Sequence, residues 1–112
     1  MVNEMDSIDS HIIEEVNEAI GTQGKAKIVK IERGTLGDFI KEDKIKDLKA
    51  KEDFEKRKDR VAYNLHVESD DHVVKFSQVF MYSTRKNSNW YNLIKKYGTI
   101  KVGTEVEYYV ND

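Results

Sequence analysis

The chain has 112 residues, no cysteine, no proline and a formal net charge of −2. That length sets a single domain with one modest core as the expectation. The missing cysteines exclude disulfides, thiolate nucleophiles and sulfur-rich zinc sites, and the charge excludes a strongly cationic nucleic-acid protein.

The other exclusions are compositional. His11, His66 and His72 stand in no zinc-type spacing, so neither a metal nor a cofactor is expected. No apolar run approaches the roughly 18 to 20 residues that cross a bilayer, and residues 1–20 are acidic where a signal peptide is basic and apolar. No membrane contact is expected, and the expected compartment is the cytoplasm. Lysines outnumber arginines 15 to 4. With abundant Glu and Ile, this fits a thermophile or an AT-rich genome.

In chain order, Ile8, Ile12, Ile13, Val16, Ala19 and Ile20 recur at helical spacing, with Asp9 or Ser10 to cap and Gly21 to stop. They predict an acidic amphipathic helix over residues 1–21, offering Ile8, Ile12, Val16 and Ile20 to a partner, to a second copy or to the domain's own sheet. Residues 25–33 read as a strand through Ile28, Val29 and Ile31. Gly34 and Gly37 bracket a turn. Residues 41–60 alternate charge densely and offer only Ile45, Leu48 and Phe54 for burial. Pairs such as Glu42–Lys46 and Glu52–Lys56 support a solvated helix there, so this segment is a helical insertion or a mobile loop.

Val61, Tyr63, Leu65 and Val67 alternate strictly with Ala62, Asn64, His66 and Glu68, the period of a half-buried strand. With Asp70 and Asp71 as a two-residue loop, Val67 faces Val74, Leu65 faces Phe76, Tyr63 faces Gln78 and Val61 faces Phe80. Phe76 and Phe80 are then core, and Asn64, His66, Lys75 and Ser77 share the opposite face. Ser88 or Asn87 caps a short helix whose Trp90, Leu93, Ile94 and Tyr97 lie on one side, and Gly98 ends it. Tyr91 and Lys95 lie on the other side. Val106, Tyr108 and Val110 mark a closing strand.

Charge is distributed unevenly along this order. Residues 1–24 hold six acids and no Lys or Arg, whereas residues 75–104 hold six bases and no acid. The second window also carries Phe76, Phe80, Tyr82, Trp90, Tyr91 and Tyr97. Basic side chains interleaved with aromatics suit a surface that tracks a nucleic-acid backbone and stacks bases. The competing reading is an aromatic core under an ordinary lysine-rich surface. Trp90 belongs to that core by its spacing.

Strand, insertion, strand–turn–strand, capped helix and a final KVGTEVEY strand resemble the OB-fold, the oligonucleotide/oligosaccharide-binding barrel, over residues 25–112. The resemblance implies an α+β, β-rich, partly open barrel. The charged helical insertion falls after its first strand and a short helix between its third and fourth. It also implies a binding surface on the outer faces of the second and third strands. Here that surface is Asn64, His66, Lys75 and Ser77, with Arg85 and Lys86 in the adjoining loop and Tyr82, Tyr91 and Lys95 nearby. Tyr82 has core parity and serves only where its strand bends or ends. The chain departs from the pattern in lacking a fifth strand after the fourth, unless residues 36–40 supply one.

No catalytic motif is present. His66 and Glu68 share a strand face, but neither they nor Ser77 and Ser83 sit in a nucleophile or phosphate-loop context. The expectation is a binding module for single-stranded DNA or RNA, of modest affinity and little sequence specificity. The alternative is a regulatory module, viral or plasmid-borne, that holds a protein partner through the acidic helix and the insertion. Steep salt dependence separates the first from the second.

Overall fold

The protein is described here by a computed structural model over residues 10–14 and 22–110. Its spine is a long strand, β2 (Thr22–Thr35), and the apolar spacing within it dictates a bend. Ile28 and Ile31 both belong inside, yet they are three positions apart, which in a regular strand puts them on opposite faces. A bulge resolves the conflict: Ile28 pairs with Val67 and Lys30 with His66, leaving Val29 unpaired and 48% exposed. The extra residue bends and twists the strand. Its first half pairs with β5 (Glu105–Val110) and its second half with β3 (Val61–Ser69).

β4 (Lys75–Met81) pairs with β3, and β1 (Ser10–Ile12) pairs with β5. The order β1-β5-β2-β3-β4 is antiparallel throughout and curls into a nearly closed five-stranded barrel, compatible with an OB-like fold. At the seam between the first and last strands, the Ile12 N–H donates to Gln78 Oε1 of β4 at 2.9 Å. The fifth strand therefore comes from the N-terminal side. Residues 36–40 do not supply it, because α1 (Leu36–Phe39) turns helical there. The same pairing corrects the expected helix over residues 1–21: residues 10–12 are a strand, with Ile12 and Ile13 buried. The rest of that expectation, residues 1–9 and 15–21, lies outside the described residues.

The β3–β4 hairpin keeps its expected faces but not its expected register. Val67 faces Phe76, Leu65 faces Gln78 and Tyr63 faces Phe80, each two residues from the anticipated partner. The reason is in the turn. Ser69 N–H donates to the Val74 carbonyl, while Ser69 Oγ and the Asp71 carboxylate accept from the Val74 and Val73 N–H groups. These bonds stabilise a four-residue loop, in which His72 adopts φ 64° and pairs with Glu68. A shift of two preserves side-chain parity. Phe76 and Phe80 are therefore buried as expected.

The core joins Ile12, Ile28, Leu65, Val67, Phe76 and Phe80 to Val106 and Tyr108. α3 (Asn89–Tyr97) covers it with Trp90 and Leu93. Trp90 stacks on Tyr63 at 4.8 Å between ring centroids, and the Tyr97 hydroxyl donates to the Ile13 carbonyl at 2.6 Å. Ile94, expected on the buried side, is 40% exposed, since α3 meets the core along Trp90, Leu93 and Tyr97. Gly98 ends the helix at φ 78°, a conformation that side chains resist. α2 (Leu48–Arg57) forms within the charged insertion and buries one side chain, Phe54. No helix of the described residues is long and apolar enough to cross a membrane.

Candidate nucleic-acid interface

The outer face of β2, β3 and β4 brings together four of the expected residues. His66 lies opposite Ser77, Glu68 opposite Lys75, and Asn64 opposite Val79. Their third neighbour, β2, contributes what the hairpin alone could not reveal. Glu32 lies beside Asn64, and Lys30 beside His66. Both His66 Nε2 and Asn64 Nδ2 donate to Glu32 Oε1, at 2.7 and 3.1 Å, and Lys30 Nζ stands 3.8 Å from the other oxygen. These donors, His66 first and Asn64 second, hold the Glu32 carboxyl below the usual carboxylate range. The face is thus a carboxylate-centred hydrogen-bond network, with Glu68 and its partner His72 at its edge. A carboxylate at that position repels a phosphate backbone.

The remaining expected residues gather at the other end of β4. The strand stops at Met81, so Tyr82 meets the condition set for it and stands 47% exposed. Arg85 and Lys86 are exposed in the loop that follows. Ser83 Oγ accepts from the Arg85 N–H, and Ser88 Oγ donates to the Arg85 carbonyl, at 3.1 and 2.7 Å. Ser88 also caps α3 by accepting from the Tyr91 N–H at 3.1 Å. Tyr91 is half-buried on that helix and Lys95 exposed.

Beside this loop is a cavity of about 380 Å³. Three of the chain's four arginines, Arg57, Arg60 and Arg85, line it. Val79 and Met81 supply its apolar side chains, and Ser83, Asn87, Ser88 and Asn89 its polar ones; Phe80, between them on the strand, keeps its ring in the core. No Asp or Glu is among the lining residues. Nor does any ion pair among the described residues take up these three guanidinium groups. Glu55, two residues before Arg57 on α2, pairs instead with Lys58 at 2.9 Å. The first turn of α3 opens beside the cavity and adds the positive end of its dipole.

Arg57 and Arg60 were not among the residues expected from sequence. They sit in the charged segment, where acids and bases balance in a linear count. The one linear signal was that arginine is scarce in this chain and two of its four copies fall within residues 57–60. Lys75, by contrast, begins β4, at the end away from the loop that carries Arg85. The structure therefore divides the expected site into a polar face and a cationic end. Among the described residues no group of three His, Asp or Glu side chains is placed to hold a metal ion. No protein-family model matches the chain, and no curated protein or solved structure is significantly similar to it.

Proposed function

We propose that the protein is a nucleic-acid-binding module for single-stranded DNA or RNA, of modest affinity and little sequence specificity. The observation that carries this reading is the acid-free cavity lined by Arg57, Arg60 and Arg85. Guanidinium groups left without protein carboxylates are suited to bidentate contact with phosphate oxygens. Tyr82 and Tyr91 offer rings for stacking near that end, and Lys86 and Lys95 extend its positive potential. We further infer that the barrel is of the OB type, with β2, β3, β4 and β5 as its first four strands and β1 as its fifth. Binding then centres on the end of β4. The polar face of Asn64, His66, Lys75 and Ser77 plays a lesser part, because Glu32 occupies its middle.

The test is a fluorescence-anisotropy titration with labelled single- and double-stranded oligonucleotides at two salt concentrations. Single strands should bind in preference, with affinity falling steeply as salt rises. The double substitution Arg85→Ala, Lys86→Ala should weaken binding about equally for all sequences. It should also reduce the salt slope by up to about two units, roughly one for each phosphate that is no longer neutralised. No detectable binding at low salt overturns the reading.

A further inference from the structure

We propose that the arginine cavity receives the phosphorylated end of a single strand, with its terminal nucleotide, rather than a phosphodiester within one. This rests on the nucleic-acid reading above and names the chemistry that the site selects.

The arrangement of charge is the first argument. A backbone-tracking groove spreads its cations along a path, because each internal phosphodiester carries one negative charge and the strand continues on both sides. Here three guanidiniums, each with a planar fork of donors, line one cavity. A terminal phosphate monoester carries between one and a half and two negative charges near neutral pH and presents three acceptor oxygens. It is the better match for three arginines that line one cavity beside the N-terminal end of α3.

Size and lining are the second argument. About 380 Å³ exceeds what a phosphate alone fills and lies within the range of small-ligand pockets. The apolar side chains of Val79 and Met81 provide a surface for a sugar or base behind the phosphate. The third argument is the neighbouring face. A strand passing through the cavity and on over β3 and β4 meets Glu32 and then Glu68. A strand that ends in the cavity avoids both.

The experiment uses the full chain and three oligonucleotides of one sequence with an internal fluorophore. One carries a 5′-phosphate, one a 3′-phosphate, and one is unphosphorylated at both ends. The expected result is that one phosphorylated end binds about tenfold tighter than the unphosphorylated strand, as a strong charge-assisted contact gives. The two phosphorylated arms identify which end is read. In Arg57→Ala, Arg60→Ala that ratio should fall close to one. In Arg57→Lys, Arg60→Lys, which keeps the charge but loses the planar fork, it should fall part of the way. Because the preference is a ratio within each variant, a general loss of affinity does not imitate it, and thermal melts of each variant establish that it is folded. Equal affinity for all three oligonucleotides overturns the proposal while leaving single-strand binding standing. A preference that survives both double variants also overturns it. Absence of binding to every oligonucleotide overturns the nucleic-acid reading itself.

Discussion

Phe76 packs against Tyr108 with ring centroids 6.1 Å apart and is 5% exposed, opposite Val67 on the neighbouring strand. Truncating it to Ala should destabilise the fold by about 3 to 5 kcal/mol, measured by urea unfolding, because the surrounding β-sheet cannot collapse into the vacated volume. Glu32 makes a prediction in pH. Hydrogen bonds from His66 and Asn64 depress its folded-state pKa. Its contribution is therefore present above the unfolded value of about 4.3 and is lost as pH falls through the folded one. Glu32→Gln should lower stability at neutral pH, and the gap to the unaltered protein should narrow over the interval in which pH falls from the unfolded value through the depressed folded one. A gap that stays constant over that interval rules out the charge as its cause. Both residues show what a sequence conveys at this scale. Phe76 was legible as core because alternation survives a register error of two. Glu32 was not legible as a site residue, because it reaches Asn64 and His66 through β2–β3 pairing, across more than thirty positions.

Among elements, the insertion shows how a segment can be legible in form and hidden in role. Its charge pattern indicated a solvated helix, and α2 is one, anchored by the single buried side chain of Phe54. Such a helix should exchange its amide hydrogens well before the barrel strands do. Phe54→Ala should accelerate exchange across residues 48–57 further while barely altering protection in β3 and β4. A uniform rise across the barrel would mean that α2 unfolds only with the whole domain. The helix places Arg57, with Arg60 just beyond its end, at the cavity that Arg85 also lines. The backbone holds the base of the insertion there: Leu36 and Gly37 N–H donate to the Arg60 and Lys58 carbonyls, both at 2.9 Å. No local pattern announces bonds of that kind.

For the whole molecule, the decisive feature is closure by β1. Three residues pair with β5, Ile12 is 1% exposed in the core, and the Ile12 N–H reaches Gln78 on β4. Burial of Ile12 also withdraws it from the surface expected to meet a partner. Removing residues 1–13 should lower stability by more than Ile12→Ala does, the latter costing about 2 to 5 kcal/mol. The deletion both empties the Ile12 site and unpairs an edge of β5. Chemical denaturation of the two variants measures the difference. A deletion no more harmful than the point substitution would show that the strand adds nothing beyond one side chain.

The sequence by itself determined the strand-rich class, the hairpin and the side each of its residues faces, and the capped helix with Trp90 and Leu93 inside; for the insertion it left a helix or a mobile loop. Each follows from a local period or a cap, and those signals extend over a few residues. Only the tertiary structure decided where the fifth strand comes from, why Ile28 and Ile31 both point inward, and which charges meet. Apolar spacing over residues 8–20 suits a helix, yet an open barrel leaves β5 and the core uncovered. Pairing residues 10–12 there buries Ile12 and satisfies backbone groups together. The polar face acquired its carboxylate and the cavity its arginines in the same way. Electrostatic neighbours are set by which strands and loops lie side by side, and in this barrel those are distant in the chain.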